Sequence, residues 1–215
     1  VKLKFAGIGA FCHEYSHTFG LPDMYDTDYD ASGGRSEALW TSLSLMDGGD
    51  KNNLGSTPPY YSAIEREFLG LQEPEVIRKS GVYRLEPIHR SGRYYRIDTD
   101  TEDEYYLLEC RSEEGWDAYI GGHGLLVYHI DRADRNAGYS DGYDRDVTAL
   151  HRWMYANEVN CRPDHQCADL VEADSRQDSF SSGTDGFAAA LQNIRGIFFP
   201  SGDATSIKAE GKPGF

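Results

Sequence analysis

The segment HEYSH constrains this chain more than any other part of the 215-residue sequence. Its two histidines, His13 and His17, are four positions apart, so an α-helix places both imidazoles on one side, a single turn from each other. Apolar residues recur at helical spacing and predict a helix over 8–19. Gly20 and Pro22 follow at once and end it. The sequence therefore predicts a short helix that presents a pair of imidazoles.

The apolar residues of this helix form one stripe along its length. They are Ile8, Phe11, Cys12, Tyr15 and Phe19. On a helical wheel the two histidines lie roughly 165° from the centre of the stripe. We therefore expect the stripe to pack into the core and the imidazoles to face the opposite side.

The residues around the two histidines fit a metal site. Two imidazoles one helical turn apart bind a single zinc ion, and Glu14 beside them can reach a water molecule on that ion. Gly20 permits a sharp turn of the chain, and Asp23 brings a carboxylate three residues later. Three protein ligands, His13, His17 and Asp23, leave a fourth position open for water. Zinc lowers the pKa of that water, so that Glu14 can remove a proton near neutral pH.

The segment HEYSHTFGLPD resembles the metzincin metallopeptidases, whose motif is H-E-x-x-H-x-x-G-x-x-H or has Asp in the last place. The longer segment HEYSHTFGLPDMYD, followed by LSLMDGGD, is similar to the M6 family of secreted bacterial proteases of the immune inhibitor A type. Later patches, YYLLECRSEEGWDAYIGGHGLLVYHID and LVEAD, extend the resemblance. It implies zinc ligands His13, His17 and Asp23, the general base Glu14, and a Met-turn at Met46 beneath the metal.

The resemblance implies an α+β metzincin-like fold with the HExxH helix followed by a β-rich portion. Metzincin catalytic domains place a β-sheet before this helix, and few residues precede it here, so we expect part of the N-terminal subdomain to be missing. The implied function is a zinc-dependent endopeptidase that acts on protein or peptide substrates through metal-bound water activated by Glu14. The implied setting is a secreted or cell-surface bacterial protein. The alternative is an inactive remnant or binding module that holds zinc, with or without calcium, and does not catalyse.

The acidic loop after the helix allows two further metal assignments. Glu37 stands twenty residues past His17, a spacing similar to the third zinc ligand of thermolysin-like gluzincins. Two glycines just before Glu37 disfavour the helix that such a ligand requires. Asp26, Asp28, Asp30 and Glu37 instead occupy positions 1, 3, 5 and 12 of an EF-hand-like calcium loop. The match is partial, since Ala31 stands where the loop has Gly, so the stretch allows a calcium site or a solvated acidic loop.

The sequence pattern changes near residue 72 and suggests two portions. Residues 1–72 are expected to hold the active-site helix, the third-ligand loop, the Met-turn and a second helix over 60–69. Residues 73–215 are expected to form a β-rich portion packed on the first. Its strand-like runs are VYRLEPI, RYYRIDT, EYYLLECR and GLLVYHID. No stretch approaches the roughly 20 apolar residues of a membrane span.

The net charge limits the kinds of binding partner that are expected, and the cysteine content allows a disulfide. The chain has 36 acidic and 21 basic residues and a net charge of -15, which would repel nucleic acid, so no nucleic-acid partner is expected. The same charge suits cations such as calcium. Of the four cysteines, Cys161 and Cys167 in CRPDHQC are the natural disulfide pair, because their spacing does not suit a zinc knuckle.

Overall fold

The computed structural model describes residues 7–29, 31, 33–34, 36–133, 148, 151–173 and 194–200. The helices in this part are α1 (Ile8–His17), α2 (Ala63–Phe68) and α3 (Ile88–Ser91). The strands are β1 (Glu75–Val76), β2 (Tyr95–Asp98), β3 (Glu104–Arg111), β4 (Gly124–Asp131) and β5 (Ala168–Leu170). Short helical turns cover Gly49–Lys51, Gly115–Tyr119, Arg152–Ala156 and Ile194–Ile197. The mixed α+β composition agrees with the expected fold class at this level.

The five strands form one sheet in the order β1-β2-β3-β4-β5. β1 pairs with β2 in parallel, and every other neighbouring pair is antiparallel. β3 and β4 pair along their whole length, from Glu104 opposite Asp131 to Arg111 opposite Gly124. Tyrosines in EYYLLECR and β-branched residues in GLLVYHID favour such strands, and both predicted strands are confirmed.

The strand predicted for VYRLEPI is wrong. Residues 82–86 belong to no strand, and after Pro87 the chain forms the short helix α3. The apolar residue that begins the run, Val82, is fully exposed, and Leu85 packs only partly buried against the sheet residues Tyr95 and Leu108. Pro87 also lacks the N–H that strand pairing requires. Of RYYRIDT, residues Tyr95–Asp98 form a strand.

One hydrophobic cluster contains side chains from both of the portions suggested by the sequence. Met46 and Ile64 from the first portion lie in the same buried cluster as Leu107 and Leu126 from the sheet. The second predicted helix is present as α2 and is shorter than expected. It begins after Ser62, whose side chain accepts a hydrogen bond from Glu65 N and thereby caps it.

Most of the apolar stripe of α1 does not pack into the core, contrary to expectation, and only its member Cys12 packs, partly buried, against the main cluster. Phe11 is 66% and Phe19 is 58% exposed, and Tyr15 lies between them with ring centroids 5.6 and 5.1 Å away. The buried residues of α1 are instead Gly9, His13 and Ser16. The reason is backbone proximity, because Gly9 N donates to Gly55 O and a Cβ at Gly9 would lie 1.9 Å from the oxygen of residue 50. Only small residues and the inward-facing histidine fit that side.

The expected disulfide is absent, since all four cysteines are free thiols. Cys161 Sγ lies 3.0 Å from Thr27 Oγ1. Cys167 Sγ accepts a hydrogen bond from Arg152. The two sulfurs therefore contact different partners rather than each other. Within the described residues, no helix has the length and apolar content needed to cross a membrane.

Candidate metal centre

Three side chains that the sequence proposes as metal ligands converge in the structure. Asp23 Oδ1 lies 3.0 Å from His13 Nε2 and 3.4 Å from His17 Nε2. His13 and Asp23 are buried, and His17 is half-buried. The ligand atoms that the three residues offer all lie within 4.8 Å of one another. One cation can therefore contact all three.

Two backbone carbonyls fix the orientation of the imidazoles. His13 Nδ1 lies 2.8 Å from Leu45 O, and His17 Nδ1 lies 2.7 Å from Leu21 O. A carbonyl oxygen only accepts, so each Nδ1 carries the proton and donates it. Each Nε2 lone pair is then directed to the side where Asp23 lies. Metal-ligating histidines are commonly held in this way through their second nitrogen.

Asn157 holds the carboxylate of Asp23 from a distant part of the chain. Asp23 N donates to Asn157 Oδ1 at 2.7 Å, and Asn157 Nδ2 donates to Asp23 Oδ2 at 2.7 Å. The other carboxylate oxygen, Oδ1, is buried and accepts no hydrogen bond of good geometry. A buried acceptor that has two imidazole nitrogens near it and no donor fits a metal ligand. Sequence reasoning missed Asn157 because no local pattern links positions 134 residues apart.

The electrostatics of the three ligands favour a positive charge between them. Burial lowers the pKa of His13, but the Asp23 carboxylate and the Leu45 carbonyl more than offset this, and its pKa is raised. Burial raises the pKa of Asp23, but the contacts with His13 and Asn157 prevail, and its pKa is lowered. Asp23 therefore stays ionised, and the affinity of the His13 imidazole for a proton is increased. Two imidazoles and one carboxylate form a donor set that suits zinc.

Glu14 and Tyr25 lie at the edge of this centre. Glu14 follows His13 on α1 and is exposed to solvent. Burial, together with the charges of Asp23 and Glu14 among others, raises the pKa of Tyr25 to about 12. The phenol of Tyr25 therefore remains protonated at neutral pH and can donate a hydrogen bond. Sequence reasoning missed this tyrosine, although it stands only two residues past Asp23.

Met46 is fully buried next to the loop that carries the carboxylate ligand. Met46 O accepts a hydrogen bond from Met24 N at 2.8 Å, and Met24 directly follows Asp23. The next residue, Asp47, accepts hydrogen bonds from Leu39 N and Thr41 N. Burial raises the pKa of Asp47 to about 6. The backbone around residue 46 is thus fixed on both sides.

Asp26 and Glu37, at the two ends of the expected calcium loop, have different hydrogen-bond partners. Asp26 accepts from Asp28 N and Ser36 N, and burial raises its pKa to about 6. Asp26, Asp28 and Cys161 offer ligand atoms within 4.8 Å of one another. Glu37 Oε1 instead accepts from a glutamine, Gln166 Nε2, at 2.7 Å. Asp30, the remaining member of the expected calcium loop, lies outside the described residues.

The zinc-ligand alternative of the gluzincin type is not supported by this arrangement. In the described part of the chain, the group formed with the two histidines contains Asp23 and not Glu37. Glu37 contacts Gln166, whereas Asp23 lies beside the two histidines. The group that could hold a metal ion is formed by His13, His17 and Asp23.

Comparison with known proteins adds independent support for the ligand-bearing segment. Residues 2–73 match the family described as Immune inhibitor A peptidase M6, catalytic domain. Residues 2–73 are therefore similar to the catalytic domain of peptidase family M6. Immune inhibitor A from Bacillus thuringiensis subsp. alesti is 43% identical over 64 residues, which are 29% of this chain and 9% of that protein. The resemblance to M6 peptidases is confirmed for this part of the chain.

A second relative shows the same limited overlap. Pre-pro-metalloprotease PrtV from Vibrio cholerae serotype O1 (strain M66-2) is 36% identical over 64 residues, which are 30% of this chain and 7% of that protein. The matched segment thus spans less than a tenth of these curated relatives. No solved structure matches the chain. The similarity to family M6 consequently rests on the sequence of residues 2–73.

Proposed function

We propose that this chain carries the active centre of a zinc-dependent endopeptidase. His13, His17 and Asp23 bind the ion, and Glu14 is the general base. The observation that carries the proposal is the convergence of three donor atoms, two of them on imidazoles whose Nδ1 protons are held by carbonyls. The matched family is described as a peptidase and one relative is named a metalloprotease, which points the metal centre toward peptide hydrolysis.

The residues of the chain have distinct roles in this hydrolysis. Zinc, when bound, supplies a Lewis acid that polarises the peptide carbonyl and lowers the pKa of water. Glu14 accepts a proton from the attacking water, whose oxygen bonds to the carbonyl carbon. The C–N bond then breaks, and Glu14 passes the proton to the departing amine. Tyr25, which stays protonated and lies near Asp23, is the proposed donor of a hydrogen bond to the carbonyl oxygen as negative charge develops.

The proposal also includes the substrates and the location of the enzyme. We take its substrates to be proteins or peptides and its location to be outside the bacterial cell or at its surface. The competing proposal is a module that holds zinc without catalysis. Glu14 favours the enzyme, because an exposed carboxylate beside the ligands has no use in a fold that only binds the ion.

Three variants of the purified chain separate metal binding from chemistry. Glu14→Gln keeps the size of the side chain and removes the base, so zinc content should stay at parent level while peptide hydrolysis falls by roughly 100-fold or more. Asp23→Ala removes a ligand and should lose zinc as well as activity. Glu73→Gln, at an exposed position away from the centre, is the control and should change neither.

Zinc is measured by metal analysis after dialysis, and hydrolysis by cleavage of a fluorogenic peptide library. A parent chain that binds zinc but cleaves no peptide would favour the binding module over the enzyme. Full activity of Glu14→Gln would remove the proposed base. Retention of zinc by Asp23→Ala would show that the third ligand is another residue.

A further inference from the structure

The peptide bond between Leu45 and Met46 connects the metal centre to a buried carboxylate on α2. Its carbonyl, Leu45 O, accepts the proton of His13 Nδ1 at 2.8 Å. Its N–H, on Met46, donates to Glu65 Oε1 at 2.9 Å. Glu65 is fully buried, as is Met46. One peptide unit thus receives a hydrogen bond from a candidate zinc ligand and gives one to a carboxylate.

We propose that Glu65 is a positioning residue for His13 and acts through the Leu45–Met46 peptide. A hydrogen bond to an ionised acceptor is roughly twice as strong as one between neutral groups. Hydrogen bonds in a chain polarise one another, so the carboxylate makes the Leu45 carbonyl a stronger acceptor. That carbonyl holds the ring of His13 and raises the basicity of its Nε2. Groups behind a ligating histidine tune metal affinity in this manner.

The two carboxylate oxygens of Glu65 accept hydrogen bonds from different partners, so positioning of His13 and capping of α2 use different atoms. Oε2 accepts from Ser62 N at 2.6 Å and from Ser62 Oγ at 2.8 Å, which completes the cap of α2. Oε1 accepts from Met46 N and, at 2.7 Å, from Ser44 Oγ. Met46 N also lies 3.1 Å from Ser44 Oγ. The cap needs one oxygen only, and the second is committed to the turn that holds His13.

The inference rests on the proposed zinc centre, and its experiment uses the purified chain stripped of metal. Glu65→Gln replaces one oxygen with an amino group, which cannot accept from Met46 N–H or Ser44 Oγ–H. Glutamine is an accepted partner in this type of cap, so its oxygen can still serve Ser62. We expect zinc affinity, measured by competition with a chromophoric chelator, to fall about 10-fold.

Two controls damage the same region without touching the peptide. Ser62→Ala removes a hydrogen bond of the α2 cap. Glu109→Gln alters another fully buried carboxylate, whose Oε2 accepts from Ala63 N at the start of α2. Both variants should lower thermal stability and leave zinc affinity at the parent value. The visible spectrum of bound Co²⁺ is a second readout, expected to shift in Glu65→Gln alone.

The outcomes separate this inference from the proposed function. Parent affinity and an unchanged Co²⁺ spectrum in Glu65→Gln would overturn the inference and leave the zinc centre intact. An equal loss of affinity in Ser62→Ala would show that Glu65 acts only through the stability of α2, and would also overturn it. A parent chain that binds neither ion would overturn both. Faster hydrogen exchange of the Met46 amide in Glu65→Gln, with both controls unchanged, supports the link without requiring a metal.

Discussion

Replacing Glu172 with glutamine should stabilise the chain at neutral pH and have little effect in acid. Glu172 Oε1 accepts from Trp40 Nε1 at 2.8 Å in a buried site that also feels the carboxylates of Asp169 and Glu37. Burial, and then these neighbouring charges, raise the pKa of Glu172 from 4.5 to about 8. Burial and Glu37 raise the pKa of Asp169 to about 7. The folded chain therefore holds a proton on Glu172 at a pH at which the unfolded chain has released it.

The sign and size of this stability change follow from the difference in proton binding between the folded and unfolded chains. A folded-state pKa above the unfolded value means that stability is complete below about pH 4.5 and is lost as the pH rises toward about 8. Each pKa unit corresponds to about 1.4 kcal/mol, so at pH 7 the cost reaches about 3 kcal/mol. Glutamine keeps the acceptor for Trp40 and has no proton to lose. The free energy of unfolding of Glu172→Gln should therefore exceed that of the parent by about 3 kcal/mol at pH 7. At pH 4.5 the two values should agree within about 0.5 kcal/mol.

Urea unfolding at the two pH values, with a chelator present throughout, measures this difference. The exposed variant Glu73→Gln serves as the control and should show the same small change at both. A Glu172→Gln chain that is no more stable than the parent at pH 7 would refute the reasoning. It would mean that Glu172 is solvated, or neutralised by a cation, in the folded chain.

Two further predictions concern the loops around the metal centre. Asn157→Ala removes both hydrogen bonds to Asp23 and should weaken zinc binding roughly 10-fold, as measured by chelator competition, whereas unchanged affinity would show that the carboxylate needs no support. Calcium should raise the melting temperature by neutralising the carboxylates of the acidic loop, and Asp28→Asn should reduce that rise. Equal melting with calcium and with chelator, at constant zinc, would leave the loop a solvated acidic surface.

The candidate ligands could be predicted from sequence because all three lie within eleven consecutive residues. Helical geometry alone puts His13 and His17 on one side, and a glycine turn returns Asp23 to them. The strands β3 and β4 could be predicted as well, since apolar and aromatic residues make up five of the eight positions of each. In these places local preference and final structure agree.

The remaining features depend on contacts between distant parts of the chain. Asn157 supports Asp23 across 134 residues, and nothing near either position indicates the pairing. The prediction that the apolar face of α1 packs into the core is wrong, because helical periodicity identifies an apolar face but not what lies against it. The backbone of residues 49–55 approaches the side of Gly9 and His13, and this decides the orientation. Such proximity is a property of the folded chain and cannot be read from residue types.

The link between Asp23 and Asn157 also sets an order of events during synthesis. The ribosome releases the two histidines and the carboxylate early, while the amide that orients the carboxylate emerges 134 residues later. At 5–20 residues per second, this delay is roughly 7–27 seconds. Through that interval the nascent chain carries all three ligands without the group that aligns the third. The centre therefore matures only once the distal part of the polypeptide has been made and has folded back onto the loop.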